Sequence, residues 1–247
     1  DVGADDAVEA VDLRQGDGVH VRDTGVVDQP VEARQRAAQL PARVSGTAVR
    51  QRLVSNLVLA SASPRRSELL RQIGVQFRRE VVEIDETPRP RETPADYVQR
   101  VALEKARAVQ RELGHDEVLV LGADTAVVVD KILLGKPVNF AHARQMLRLL
   151  SGRAHRVLSA VALVGEREAV RVSASAVWFR ALSDAEIDTY WHTGEPQDKA
   201  GAYAIQGLGA VFVERLEGSY SGVMGLPLYE TAQLLKDFGI QVLAQHA

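Results

Sequence analysis

Hydrophobic residues after position 56 follow two different spacings, which predict strands alternating with helices. The apolar run at residues 57–60 is typical of a short buried strand. Residues 93–113 carry apolar side chains at intervals of three and four behind a Thr-Pro pair, which predicts a helix capped by Thr93. Two long apolar segments, residues 157–164 and 171–180, are joined by a polar turn that is too short for a crossover helix. They should form antiparallel strands, and the whole pattern predicts an α/β protein with a mixed sheet.

The same spacings define the remaining predicted elements. Ser63 and Pro64 open a helix that ends at Gly74, and a capping-box pattern at residues 183–186 opens another that runs to Thr193. The apolar residues 126–129 and 132–134 predict a hairpin. Further strands are predicted at residues 76–84, 118–121 and 210–215, and further helices at residues 141–150 and 227–238.

Residues 1–53 differ in composition from everything that follows. Up to Arg52 the chain contains no aromatic residue and no Ile, Lys, Met or Asn, so it lacks the large side chains that build a hydrophobic core. We expect residues 1–53 to be an extension that is disordered or not native to the protein. The alternative is a small appendage that packs on the main domain. Residues 54–247 are expected to form the functional domain.

Composition and charge exclude several classes of protein. The chain has no cysteine, which rules out disulfides, thiolate metal sites and cysteine nucleophiles. Its net charge of −3 gives no general attraction to nucleic acid or to an anionic membrane. No apolar run approaches the roughly 20 residues that a membrane span requires, and the first residues lack the features of a secretion signal. We therefore expect a soluble cytoplasmic protein that binds neither nucleic acid nor membrane.

The first candidate binding site is the segment Ser61-Ala62-Ser63-Pro64-Arg65-Arg66, which lies between a predicted strand and a predicted helix. The N-terminus of a helix presents free backbone N–H groups and the positive end of the helix dipole, so it favours anions. Two hydroxyls and two guanidinium groups add donors that suit phosphate oxygens. An ordinary capped helix with solvated arginines explains the same residues equally well.

Acidic side chains near the ends of predicted strands form a second candidate site. Glu86 follows the strand predicted at residues 76–84. Asp124 comes directly after the strand predicted at residues 118–121, at the carboxyl end, where α/β sheets usually bind their ligands. Carboxylates without His or Cys partners suit a hard cation such as Mg²⁺ or Mn²⁺. For any single Asp at a strand end, capping of a turn by its side chain is at least as good an explanation.

Two lysines are candidates for neutralising a bound anion. Lys105 falls in the buried stripe of the helix predicted at residues 93–113, so its ammonium must reach solvent, pair with a carboxylate or face a cleft. Lys136 follows a predicted strand and has turn residues on either side. It is either an ordinary surface residue or a second charge that neutralises phosphate.

A segment rich in small residues, residues 198–209, is the last candidate. Small side chains allow the backbone to approach a ligand closely. Gln206 carries both a donor and an acceptor, with which it could recognise the edge of a nucleotide base. The alternative is a glycine-rich loop that connects two strands.

Taken together, these segments resemble the Maf family of nucleotide pyrophosphatases. The resemblance runs from about Leu57 to Phe238 and rests on short motifs that occur in order along the chain. These are Leu59-Ala60-Ser61-Ala62-Ser63-Pro64-Arg65-Arg66, Glu104-Lys105-Ala106, Leu121-Gly122-Ala123-Asp124-Thr125, Gly135-Lys136-Pro137, Leu150-Ser151-Gly152, Asp198-Lys199-Ala200-Gly201-Ala202-Tyr203 and Gly225-Leu226-Pro227. Each motif is weak alone, but their joint occurrence is specific.

The resemblance implies an elongated mixed sheet with flanking helices, folded into two lobes around a nucleotide cleft and related to inosine triphosphate pyrophosphatases. It implies an enzyme that uses a divalent cation, Mg²⁺ or Mn²⁺, to cleave nucleoside triphosphates to the monophosphate and pyrophosphate. A homodimer is expected from the resemblance alone.

The resemblance also implies a role for each matching residue. Asp124 would be the general base that activates water, and Glu86 and Asp124 would hold the metal. The phosphates would be bound and neutralised by Ser61, Arg65, Lys105 and Lys136. The branch of the family that prefers dTTP and UTP over 7-methyl-GTP is indicated by Arg66, Thr125 and Gln206.

Two rival functions remain open at this point. A regulator of cell division could use the same cleft to sense nucleotides without turnover. A nucleic-acid-binding protein could use the arginines between residues 65 and 91, but the net negative charge argues against it.

Overall fold

The computed structural model describes residues 57–114 and 118–242, and the extension predicted at residues 1–53 lies outside them. Within these residues the strands form one seven-stranded sheet in the order β2-β1-β3-β5-β6-β7, with β4 beside β3. The strands are β1 (Leu57–Ala60), β2 (Arg78–Glu80), β3 (Leu119–Val129), β4 (Ile132–Leu134), β5 (Ala154–Val164), β6 (Glu168–Phe179) and β7 (Val213–Glu217).

Helices flank this sheet. They are α1 (Pro64–Gln72), α2 (Pro94–Leu113), α3 (Phe140–Leu150), α4 (Asp184–His192), α5 (Tyr220–Met224) and α6 (Leu228–Asp237), with short 3-10 helices at Glu195–Asp198, Ala200–Ala202 and Leu208–Phe212. Two predicted caps are confirmed: Thr93 accepts a hydrogen bond from the Asp96 N–H, and Ser183 forms a complete capping box with Glu186. In the described part of the chain, no helix has the length and apolarity that a membrane span requires.

The sheet is mixed, as predicted. Strand β1 pairs in parallel with β2 and β3, whereas β3, β5, β6 and β7 pair antiparallel in succession. The predicted hairpin is also confirmed, because Val129 of β3 pairs with Ile132 of β4. The antiparallel pairing of β5 and β6 is what the short turn between them requires.

Strand β3 is longer than predicted, and this changes the position of Asp124. β5 pairs with β3 from Val120 to Val128, so the backbone around Asp124 stays in the sheet. The prediction that Asp124 follows the carboxyl end of the strand is therefore wrong. The edge of β3 opposite β5 pairs with β1 up to Gly122 and with β4 only from Val127. Between these two pairings, residues 123–126 face an opening in the sheet.

Helix α2 packs closely on one face of β3 because Gly122 has no side chain. A Cβ at this position would lie 2.1 Å from the Ala102 carbonyl oxygen of α2. The even-numbered residues of β3 point towards this helix, so Ala126 and Val128 share a hydrophobic cluster with Val98 and Val101. Asp124 has the same parity and therefore lies on the α2 face.

The opposite face of β3 carries two separate hydrophobic clusters. One contains Leu119 and Leu121 and packs against α1 and α6, and the other contains Val127 and Val129 and packs against α3 and α4. Thr125, which lies between them on this face, forms a hydrogen bond of 2.9 Å with Ser159 of β5. This face of the sheet therefore carries a polar side chain within residues 123–126, where the edge of β3 opposite β5 has no strand partner.

Other predicted elements also have different extents in the structure. The strand predicted at residues 76–84 is only β2, because its partner β1 ends at Ala60 and offers no backbone beyond Glu80. The strand predicted at residues 210–215 begins with a 3-10 helix and becomes β7 only at Val213. The last predicted helix is α6, which starts at Leu228 and follows the short helix α5.

Candidate active site

A cleft of about 810 Å³ opens beside the unpaired edge of β3. It is lined by the end of β1, the start of α1, the hairpin of β3 and β4, and the segment that contains the 3-10 helices. Every site residue predicted from the sequence lines this cleft, namely Ser61, Arg65, Arg66, Glu86, Lys105, Asp124, Thr125, Lys136 and Gln206. Residues that are far apart in sequence are thus brought to one cavity.

Lys105 joins two carboxylates on the α2 side of the cleft. Its ammonium nitrogen lies 2.9 Å from Oδ1 of Asp124 and 3.0 Å from Oε1 of Glu86. The Asp124 side chain is 8% exposed and the Glu86 side chain 50%. Because a buried carboxylate is unfavourable without a partner of opposite charge, Lys105 satisfies Asp124 inside the fold. Of the three alternatives predicted for the Lys105 ammonium, two are therefore observed: it pairs with a carboxylate and it faces a cleft.

The same two carboxylates have the chemistry of a site for a hard cation. Asp124 and Glu86 both contact one positive group, so their oxygens converge on a single position. Across residues 57–114 and 118–242 there is no group of three or more His, Asp or Glu side chains that could hold a metal. A cation held here would therefore take its other ligands from water and substrate oxygens. This sharing is usual for Mg²⁺, so the residues present fit such an ion.

The loop at residues 61–66 connects β1 to α1 and is organised around Ser61. The Ser61 hydroxyl is buried, and its oxygen lies 3.2 Å from both the Ser63 backbone nitrogen and Nη1 of Arg66. Ser63 occupies the N-cap position of α1, as predicted, but its side chain makes no capping hydrogen bond. Arg65 lies across the cleft from the small-residue segment and forms an ion pair of 3.4 Å with Asp198.

Arg66 is held from three sides and faces Thr125. Its Nε donates to the Gly225 carbonyl oxygen at 2.8 Å, and its Nη2 donates to Thr125 Oγ1 at 3.4 Å, in addition to the bond with Ser61. Burial lowers the pKa of Arg66 from its usual value, an effect that the nearby Asp124 carboxylate opposes. The guanidinium is therefore a fixed donor rather than a mobile surface charge.

Lys136 and Gln206 are exposed at the rim of the cleft. Lys136 follows Gly135, whose carbonyl oxygen accepts a hydrogen bond of 3.0 Å from Gly201. This bond ties the β4 turn to the segment of small residues. Gln206 lies in the same segment, just before Gly207.

The residues that hold the loop around Gln206 in place, Tyr190 and Glu195, were not predicted from the sequence. Glu195 accepts hydrogen bonds from the Leu208 and Gly209 backbone nitrogens at 2.9 and 3.0 Å, and from the Tyr190 hydroxyl at 2.6 Å. A Cβ at Gly207 would lie 2.1 Å from the Glu195 carboxylate, so the glycine makes room for this anchor. The only sequence signal was the glycine itself, because a carboxylate that bonds distant backbone leaves no local pattern.

A family model and several sequence relatives match most of this chain. The family model described as Maf-like protein matches residues 56–238. The dTTP/UTP pyrophosphatase of Alkalilimnicola ehrlichii is 59% identical over 75% of this chain and 94% of its own length. The dTTP/UTP pyrophosphatase of Hahella chejuensis is 55% identical over 75% of this chain and 94% of its own length. The solved structure of the Staphylococcus aureus Ham1 protein is 14% identical and covers 50% of this chain and 71% of that one, with a TM-score of 0.37.

The family match covers the part of the chain that forms the sheet and the cleft. The predicted resemblance is therefore confirmed, and the chain belongs to the Maf-like protein family.

Proposed function

We propose that this protein hydrolyses dTTP and UTP to the nucleoside monophosphate and pyrophosphate. Membership of the Maf-like family and the names of relatives with 50–59% identity support the proposal. The observation that carries it is the contact of Lys105 with both Asp124 and Glu86 in the cleft that also contains the 61–66 loop. Phosphoryl transfer depends on positive charges that neutralise the phosphates and on carboxylates that hold a metal or activate water, and this cleft contains both kinds of group.

In this proposal, Asp124 accepts a proton from the water that attacks the α-phosphorus. Its carboxylate is buried and fixed by Lys105, so it is oriented before substrate binds. The triphosphate is bound by Ser61 and by the cationic side chains of Arg65, Lys105 and Lys136. These charges stabilise the negative charge that develops on the phosphate oxygens, which is the main source of rate enhancement in this class of reaction.

A divalent cation, Mg²⁺ or Mn²⁺, completes the proposed site. Glu86 and Asp124 would hold it through their carboxylate oxygens. When bound, such an ion neutralises phosphate charge and makes an attacking water more acidic. Before a cation binds, the Lys105 ammonium keeps the carboxylates of Asp124 and Glu86 together and limits their mutual repulsion.

The base is recognised, in the same proposal, by Arg66, Thr125 and Gln206. These side chains line the same cleft, and Arg66 is already bonded to Thr125. The predicted homodimer stays a prediction, and light scattering on the purified chain would measure it.

Pyrophosphate release tests the proposed function. Purified protein is incubated with dTTP, UTP and other triphosphates in the presence of Mg²⁺, Mn²⁺ or EDTA. We expect release with either cation and none with EDTA. We also expect Asp124→Asn to lose most turnover while retaining the fold, because the amide cannot accept the proton. Binding of dTTP without any release would instead favour the nucleotide-sensing regulator, and wild-type turnover in Asp124→Asn would remove Asp124 as the base.

A further inference from the structure

Ser159 is a buried serine of β5 that lies directly behind Thr125. The two residues are paired across β3 and β5, and their hydroxyl oxygens are 2.9 Å apart. Ser159 is 1% exposed and its hydroxyl donates to the Gly222 carbonyl oxygen at 2.6 Å. Thr125 lines the cleft and Ser159 does not, so Ser159 contacts the site through the Thr125 hydroxyl and through Gly222, which precedes the cleft residues 223–225.

The direction of these hydrogen bonds follows from counting protons. A carbonyl oxygen can only accept, so the single hydroxyl proton of Ser159 is used on Gly222. In the contact between the two hydroxyls, Ser159 must therefore accept and Thr125 must donate. The other acceptor near Thr125 is the Gly225 carbonyl oxygen, which is farther away at 3.4 Å and already accepts from Arg66.

Thr125 consequently presents only an acceptor to the cleft. Its proton is directed into the protein towards Ser159, and its remaining lone-pair density faces Arg66 and the cavity. Without an acceptor such as the Gly222 carbonyl for the serine, either hydroxyl could be the donor in the hydrogen bond between Ser159 and Thr125. The backbone carbonyl fixes one direction.

We propose that Ser159 is a positioning residue that makes the site selective for bases with a ring N–H, such as uracil and thymine. This inference rests on the proposed function and deepens it. Uracil and thymine carry a proton on N3, which Thr125 can accept, and flanking carbonyl oxygens, which suit a guanidinium such as Arg66. Cytosine has a bare lone pair on N3, so two acceptors would face each other and no hydrogen bond would form between Thr125 and the base.

The experiment measures kcat and KM for UTP and CTP, whose bases differ only at N3 and the 4-position. Wild-type protein is expected to prefer UTP. In Ser159→Ala, Thr125 loses its nearest acceptor and can donate to cytosine, so the ratio of kcat/KM for UTP to that for CTP should fall about tenfold. The change should arise mainly in KM, with a lower KM for CTP and little change in kcat. A purely structural role would reduce kcat/KM for both nucleotides and leave the ratio unchanged, which would overturn the proposal.

Ser173→Ala is the matched control. Ser173 is a buried serine of β6 that pairs with Ser159 across the sheet, one strand farther from Thr125. It should keep the wild-type ratio, and a fall equal to that of Ser159→Ala would refute the specific role of Ser159.

Thr125→Val is a second variant that keeps the shape of the side chain and removes the hydroxyl. It should lower kcat/KM for UTP about tenfold without lowering that for CTP, and an unchanged ratio would overturn the proposal even if Ser159→Ala did not fold. Wild-type protein that hydrolyses UTP and CTP equally well would refute the role of Ser159 alone. Absence of pyrophosphate release from every triphosphate would instead refute the proposed function.

Discussion

The close contact between α2 and β3 makes Gly122→Ala a direct test of how Lys105 is placed. A Cβ at residue 122 would lie 2.1 Å from the Ala102 carbonyl oxygen and 3.0 Å from the Ala106 backbone nitrogen. Backbone atoms cannot rotate away as a side chain does, so α2 must move about 1 Å from the sheet to restore an ordinary contact. Overpacking of this kind costs about 1–3 kcal/mol, which corresponds to a fall in Tm of about 2–12 °C in a domain of this size.

The same displacement would carry Lys105 away from Asp124. A misplacement of about 1 Å can reduce turnover about 100-fold, so we expect kcat of Gly122→Ala to fall by about 10- to 100-fold. Pyrophosphate release from UTP and thermal unfolding followed by circular dichroism would measure the two effects. Gly135→Ala is the control for stability, because a Cβ there meets nothing within 4 Å. Wild-type Tm and turnover in Gly122→Ala, or an equal loss of Tm in Gly135→Ala, would refute the reasoning.

Two further predictions concern the rim of the cleft and the buried interior of the fold. Gln206→Ala should change the relative rates on dTTP, UTP and 7-methyl-GTP more than it changes Tm, because this exposed side chain lines the cleft without supporting the core; altered Tm with unchanged relative rates would contradict this. Burial lowers the pKa of His155 to about 4, whereas in the unfolded chain it is about 6.5. The contribution of His155 to the stability of the folded protein is therefore fully present above about pH 6.5 and is lost as the pH falls from about 6.5 to about 4. The Tm of His155→Gln should vary less with pH across this window than that of the wild type, and identical pH profiles would rule out this contribution.

Elements defined by local signals could be predicted from the sequence. The caps at Thr93 and Ser183 use hydrogen bonds within one turn, so the residues that form them are adjacent in sequence. The hairpin of β3 and β4 is similarly local. For these elements the sequence contains both partners of each interaction.

Strand lengths were harder to predict because they depend on a partner elsewhere in the chain. Residues after Glu80 are apolar enough for a strand, but β1 ends too early to pair with them. Conversely, β3 continues through Asp124 because β5 offers backbone partners along nearly its whole length. Neither partner can be identified from the spacing of residues in the strand itself.

The residues of the cleft could be predicted, but most of their contacts could not. The 61–66 loop and the glycine-rich segment were recognisable by residue type, and the resemblance indicated the positions of Glu86 and Asp124. The contact of Lys105 with both carboxylates depends on how α2 packs on β3. Ser159 sits among the apolar residues of β5, where a single small polar residue gives no sign of what it bonds.

The alternation of side chains along β3 separates two tasks that adjoin each other in sequence. Asp124 projects towards α2 and its lysine, whereas Thr125 projects to the other face, towards Ser159 and Arg66. Under the proposed function, the residue that activates water and the hydroxyl that selects the base thus have different direct supports, Lys105 for Asp124 and Ser159 for Thr125. If Ser159 positions Thr125 as proposed, a substitution behind Thr125 would change which nucleotide is accepted while the contact of Lys105 with Asp124 stays in place.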